Sequence, residues 1–361
     1  MIKNVYIHIP FCRQKCNYCS FVSFPRPEKI PEYVHALKDE INYFYKGEVL
    51  NTLYFGGGTP SLLRIEDFKE ITDLLNISKS TEFTVEVNPE TVNKKYLEDL
   101  KNLGVNRLSF GCQTFNKEIL QIIGRKHSPQ QVVECVQNAQ DAGFENISLD
   151  FIYGLPLQTV EDFEADLEKA VSLDIRHVSL YGLKIDKGCY FYSHMPENLP
   201  DEDAQADMYL KAIDVLTKNN FVHYEISNFA VEGFESKHNL NYWDNNTYYG
   251  FGTGAHGYDG HVRYNNNLTL GGYIANPKKH AQEIILTEQQ KLEEEIFLGF
   301  RKMCGIDINE INKKFSIDFE DMYKPVIEKY LSYEYLIKTS SGYKLSDAGI
   351  LISNVILADF I

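Results

Sequence analysis

Val5-Tyr6-Ile7-His8-Ile9-Pro10-Phe11-Cys12-Arg13-Gln14-Lys15-Cys16-Asn17-Tyr18-Cys19 decides how this 361-residue chain is read. Val5–Ile9 is rich in β-branched and aromatic residues and reads as a strand, which Pro10 ends because it has no N–H to give to a ladder. Three cysteines then fall within eight residues, spaced Cys-x3-Cys-x2-Cys. Soft thiolates grouped in this way suit an iron–sulfur cluster or zinc. A structural zinc site takes four ligands, and no nearby fourth Cys or His follows; the residue two after Cys19 is Phe21. Three thiolates on a cluster of four irons leave one iron open. The other four cysteines, Cys112, Cys135, Cys189 and Cys304, are scattered, and an odd total of seven argues against a disulfide framework.

Beyond that strand, apolar runs recur at Thr52–Phe55, Phe83–Val87, Arg107–Cys112, Ile147–Ile152 and His177–Leu183. Amphipathic stretches such as Glu32–Tyr45, Lys94–Leu103 and Val160–Ser172 separate them, and Ile41, Phe44 and Tyr45 show the i, i+3, i+4 spacing of a buried helical stripe. Six strand–helix units predict an α/β fold of parallel strands with right-handed crossovers. They build either an open, three-quarter barrel or a doubly wound sheet. Further on, Ala204–Thr217 reads as a helix and Phe221–Ile226 as a strand, and residues 227–275 are rich in Asn, Gly and Tyr with little periodicity. From Glu288 the chain is helical again; a hairpin is expected at Tyr335–Lys338 and Tyr343–Leu345, with Ser346 capping a last helix. This divides the chain into 1–230, an irregular connection over 231–285, and a small winged-helix-like domain over 286–361.

Composition narrows the function classes. A net charge of −15 opposes broad contact with nucleic acid phosphates. No apolar run approaches the eighteen or so residues of a membrane span, and the first residues lack the pattern of a signal peptide. A cytoplasmic location is expected.

The strand ends carry the chemistry. The second ends in Gly56-Gly57-Gly58-Thr59-Pro60, which reads as a cradle whose exposed N–H groups receive the amino-acid end of S-adenosylmethionine (SAM). The third, fourth and fifth deliver Glu86, Gln113 and Asp150, polar groups that are costly at the end of an apolar strand unless paired or bound. Arg125 follows twelve residues after Gln113 and suits a carboxylate. An open iron can take the amino and carboxylate groups of SAM, and reduction of the cluster then breaks the sulfonium carbon–sulfur bond to give a 5′-deoxyadenosyl radical.

Tyr6–Cys12, the three cysteines, Gly56–Pro60, Glu86-Val87-Asn88-Pro89, Gly111-Cys112-Gln113-Thr114-Phe115 and Asp150–Pro156 together resemble the oxygen-independent coproporphyrinogen III oxidase family of radical SAM proteins. The resemblance implies a partial (β/α)6 radical SAM barrel. It implies a [4Fe–4S] cluster on Cys12, Cys16 and Cys19, and SAM contacts at Tyr6, Tyr18, Gly57, Gly58, Thr59, Glu86, Gln113, Arg125 and Asp150. True dehydrogenases of that family bind two SAM molecules, have a longer N-terminal extension and carry a further cysteine where Phe21 stands. His238-Asn239-Leu240-Asn241-Tyr242-Trp243 instead resembles the signature of its heme-chaperone branch, HemW, and Phe251–Gly257 continues that pattern. The branch implies heme binding, recipient hemoproteins and an electron donor for the cluster. The alternative is oxidative decarboxylation of two propionates of coproporphyrinogen III. His238 is then a candidate axial ligand, with Tyr242 and Trp243 stacked on the macrocycle; His8, His194 and His256 are the other candidates.

Overall fold

The structure is a computed structural model that describes residues 1–361. Strands β1 (Asn4–Ile9), β2 (Thr52–Gly57), β3 (Glu82–Val87), β4 (Arg107–Gln113), β5 (Asn146–Tyr153) and β6 (His177–Gly182) pair in parallel in chain order. Two antiparallel strands, β7 (Val222–Glu225) and β8 (Asn228–Ala230), extend the β6 edge, with β8 innermost. β9 (Tyr249–Phe251) pairs in parallel with β1 and completes a nine-stranded sheet. Side chains from β2 through β6 line one cavity, so the sheet curls into an open barrel rather than a flat doubly wound layer.

Alternation along the strands sorts the residues onto two faces. Val5, Ile7, Leu53, Phe55, Phe83, Val85, Leu108, Phe110, Leu149, Phe151, Val178 and Leu180 pack outward in a core of 50 buried residues shared with the helices. The intervening positions include Tyr6, Tyr54, Glu86, Arg107, Ser109, Asp150, Ser179 and Tyr181. An ordinary eight-stranded barrel fills its interior with apolar layers; here the inner face is polar and leaves a chamber.

The crossover helices start and stop where their sequences direct. Ser128 caps Pro129–Asp141 and Thr159 caps Val160–Val171, each returned by the residue three on, Gln131 or Asp162. Asn93 caps Lys94–Leu103, which Gly104 ends at φ 104°.

The stretch 231–285, read from sequence as irregular, contains helix Lys237–Trp243, strand β9 and a three-stranded antiparallel sheet of His256–Tyr258, Val262–Asn265 and Gln282–Ile285. These elements are too short to show periodicity. They are tied to the barrel by Glu40, a fully buried carboxylate of the first helix, Ile30–Phe44. Glu40 accepts from Gly252 N–H (2.8 Å), Asn266 Nδ2 (2.6 Å) and Tyr273 Oη (2.6 Å). Burial pushes its carboxyl up to about 7, against the pull of those three donors.

The C-terminal unit packs around a second core of 17 buried residues, 16 of its own and Tyr209 from helix Glu202–Lys218. Its hairpin Leu336–Lys338 and Gly342–Leu345 is joined by Ile306–Asp307, and Ser346 caps Asp347–Leu351. No helix of the chain is long and apolar enough to cross a membrane.

Candidate functional site

A cavity of about 490 Å³ opens at the carboxyl ends of the barrel strands. It brings together Cys12, Cys16, Cys19, Tyr18, Gly57, Gly58, Thr59, Glu86, Gln113, Arg125 and Asp150, every residue proposed from sequence for cluster and SAM except Tyr6.

All three cysteines are free and half-buried. Burial raises the thiols of Cys12 and Cys19, the latter to about 11, and the neighbouring cysteine charges add to this. Thiolates gathered here therefore need a cationic partner. No three His, Cys, Asp or Glu side chains are gathered closely enough for a single metal ion; the donor set, three cysteines of one loop lining one cavity with no His beside them, is the soft thiolate set that a cluster takes. Thr59 and Arg125 are among the polar side chains that reach the cysteine sulfurs. Thr59 Oγ1 lies 3.6 Å from Cys12 Sγ and is itself held by Asn88 Nδ2 at 3.0 Å. Arg125 reaches Cys16 Sγ at 3.8 Å while donating to Gly111 O (2.6 Å) and Asn88 Oδ1 (2.8 Å). Arg125 is thus a buried clamp between two strand ends and the cysteine loop. When bound, a cluster on these cysteines supplies an iron with an open position and one electron for cleaving SAM.

The glycine run works differently from the cradle expected of it. Gly57 N–H is given to Glu86 Oε2 (3.1 Å) and Gly58 N–H to Ile9 O (2.9 Å), so neither is free for a ligand. The glycines serve close approach instead. A Cβ on Gly58 would meet Phe11 O at 2.7 Å and Cys12 Sγ at 3.1 Å; one on Gly57, at φ 112°, would meet the His8 ring at 2.6 Å. The cysteine loop can lie on β2 only because these side chains are missing. At the end of β4 the ladder shifts register between Gly111 and Gln113, and Gln113 takes φ 67°, an unusual conformation for a non-glycine residue.

Deeper in the chamber, Glu86 accepts from Tyr54 Oη (2.8 Å) and Asp150 from Ser109 Oγ (2.9 Å). Burial pushes Glu86 up to about 7, with Asp150 adding to the shift, and burial also raises Asp150. The cation facing them is Arg107, which is itself buried and whose Nε has no hydrogen-bond partner. Two buried carboxylates deep in the chamber suit a ligand that brings positive charge and hydroxyls, and SAM, with its sulfonium, ammonium and ribose, fits. Tyr54, Asn88, Arg107, Ser109, Ser179 and Tyr181 also line this cavity and were not picked out from sequence; their signal was the inward position at every second residue of a strand.

Tyr6 stands apart. It lines a neighbouring cleft of about 340 Å³ with His8, Phe21, Val22, Tyr242, His256 and Leu268, and hydrogen-bonds His8 Nδ1 at 2.9 Å. Ser20 and Phe21 line both cavities. The His238–Trp243 motif does not converge as a whole: Tyr242 and Trp243 share the lining of a cleft of about 510 Å³, and His238 lies outside it. His238 is 1% exposed; its Nδ1 bonds Thr52 Oγ1 (2.7 Å) and its Nε2 bonds Tyr242 Oη (2.9 Å). Both nitrogens of this imidazole are engaged inside the barrel, so in this structure His238 presents no free nitrogen to a heme iron. Tyr242 packs edge-on against Tyr248, and Trp243 faces the C-terminal helices with Arg301 4.5 Å over its ring.

Comparison with known proteins agrees with this geometry. The Radical SAM superfamily profile matches residues 6–170 and the HemN C-terminal domain profile matches 286–352. The heme chaperone HemW of Lactococcus lactis subsp. lactis (strain IL1403) is 39% identical over 99% of this chain and 97% of its own length. That of Escherichia coli (strain K12) is 32% identical over 99% and 98%. Among solved structures, coproporphyrinogen III oxidase (HemN) from Escherichia coli, described as a radical SAM enzyme, superposes with a TM-score of 0.87 over 99% of this chain and 89% of that one, at 22% identity.

Proposed function

The chain belongs to the HemW group of HemN-like radical SAM proteins, and from that premise we propose that it is a heme chaperone. In this reading Cys12, Cys16 and Cys19 hold a [4Fe–4S] cluster fed by an external electron donor, and SAM lies in the chamber against Glu86, Gln113 and Asp150. Heme is taken up beside them and handed to recipient hemoproteins. The observation that carries the proposal is Phe21, which stands where the dehydrogenases of the wider family carry a further cysteine. Its ring is 67% exposed and borders both the cysteine cavity and the apolar cleft. With Leu268, 56% exposed on the same cleft, it makes an apolar surface that suits another flat apolar body.

The test is anaerobic. Reconstituted protein is given SAM, a strong reductant and coproporphyrinogen III, and in parallel ferric heme followed by an apo-hemoprotein. Heme uptake near one per chain and onward transfer, without decarboxylated porphyrinogen, are expected. Repeated turnover to vinyl products would make the protein a dehydrogenase and overturn the proposal.

SAM affinity is also expected to depend on pH. The groups facing Glu86 are Tyr54, Tyr6 and Tyr242, whose phenols stay neutral, the Arg107 guanidinium, which stays charged, and Asp150. Glu86 is a carboxylate above about 7 and an acid below it, and protonation of Asp150 at lower pH acts in the same direction. Binding of the cationic ligand therefore weakens as pH falls through that value, approaching roughly tenfold per unit. Equilibrium dialysis of labelled SAM on reconstituted protein measures this. Glu86→Gln should flatten the profile and weaken binding by about tenfold or more; an unchanged profile would remove Glu86 from the SAM site.

A further inference from the structure

We propose that His256 is the axial ligand to the heme iron, with the macrocycle seated in the cleft between Phe21–Val22 and Leu268. The inference rests on the heme-chaperone reading and names the site that reading leaves open.

The candidate histidines separate by what their ring nitrogens already do. Both nitrogens of His238 are held in internal bonds. His8 lines the cleft, but Tyr6 Oη occupies its Nδ1 (2.9 Å) and Val22 O its Nε2 (2.7 Å). His194 is stacked on Tyr190 with ring centroids 4.1 Å apart, bonds Ser193 and Tyr190 through Nδ1, and borders neither cavity. His256 lines the cleft, is exposed, and neither of its ring nitrogens makes a hydrogen bond. A neutral imidazole with a free nitrogen at an open apolar wall is the kind of group that binds heme iron.

Its surroundings suit a flat apolar ligand. Leu268 is 56% exposed, and with Phe21, Val22 and Ala255 it makes an apolar wall. The cleft holds about 340 Å³, and its lining shares Ser20 and Phe21 with the cysteine cavity of about 490 Å³. A macrocycle too large for the cleft alone can therefore project across Phe21 toward the cluster. The position of His256 is firmly held: its strand pairs with Val262–Asn265. Just before it, Gly254 lies so close to Val22 that a Cβ there would meet Val22 Cγ2 at 3.0 Å. Cysteine loop and ligand-bearing segment are thus packed directly on each other.

Ferric heme is titrated into the full-length reconstituted protein, and the reduced complex is examined by resonance Raman for the iron–imidazole stretch. The wild-type protein is expected to show it. His256→Ala should lose the stretch and bind heme roughly tenfold more weakly or worse. Because His256 is exposed, this variant is expected to keep the wild-type circular dichroism. His256→Gly should recover the stretch when free imidazole is added, which a merely structural role would not allow. If His256→Ala keeps the stretch and the affinity, or if wild-type heme lacks imidazole ligation, the proposal is overturned while the chaperone reading stands. If wild-type protein takes up no heme, the chaperone reading falls and this proposal with it.

Discussion

Replacing Cys16 by Ala is expected to abolish the iron–sulfide chromophore of the reconstituted protein, with SAM binding lost alongside it, while the fold remains. Cys16 is half-buried, and its sulfur is reached by Arg125 at 3.8 Å and by the Tyr18 hydroxyl. Little packing is lost with it, so the melting midpoint should move little. The metal site has no reserve. No other cysteine lines the cavity besides Cys12 and Cys19, and no His lines it at all. Losing a direct thiolate should weaken cluster binding by more than the roughly 10–100-fold typical of losing a group that only supports a ligand. Iron and sulfide analysis, paired with labelled-SAM dialysis, gives the answer. Wild-type iron content in Cys16→Ala would remove Cys16 from the cluster. Thr59→Val should keep the cluster and shift its reduction potential, because it removes only the hydroxyl near Cys12 Sγ.

The second large effect is on folding. Glu40→Ala leaves Gly252 N–H, Asn266 Nδ2 and the Tyr273 hydroxyl without their shared acceptor in a fully buried place. Orphaned buried donors of this kind cost about 1–3 kcal/mol each, partly relieved by water or repacking, so a loss of about 3–5 kcal/mol is expected in urea unfolding. Glu40→Gln keeps one acceptor and should lose less. Hydrogen exchange should rise first in residues 252–273, which the clasp holds to the first helix. A global loss under about 1 kcal/mol, with exchange there unchanged, would show that the clasp does not hold this segment.

The six parallel strands were legible because each is apolar on its helix-facing side, and the third, fourth and fifth carry at or near their ends Glu86, Gln113 and Asp150, polar residues that the outer core cannot use. The cysteines were legible for the same reason as any cluster motif: ligands on one short loop must be close in sequence. Arg125 was less so, because nothing in its own neighbourhood shows that its guanidinium turns inward to Gly111 and Asn88. Arg107 reads as the boundary of an apolar run, and only the curl of the sheet brings it to the chamber. His238 sits in a motif that the family resemblance ties to heme, yet its partners, Thr52 and Tyr242, lie 186 and 4 residues away. Whether an imidazole is free or engaged depends on contacts between distant segments, and these are not written in a local motif. Strand β9 escaped notice because three residues cannot establish a period of two.

That short strand has a consequence for how the protein is made. β9 covers the free edge of β1, but Tyr249 leaves the ribosome 230 residues after Cys19 (249 minus 19). At about 5–20 residues per second, the interval is on the order of 10–50 s. For that time the edge of the cysteine-bearing strand lacks its neighbour, with backbone donors and acceptors exposed to any other extended chain. The segment that packs on the cysteine loop, with Gly254 against Val22, is missing for the same period. Nascent chains arrested before residue 249 are therefore expected to accept iron and sulfide more readily, and to aggregate more readily, than the finished protein.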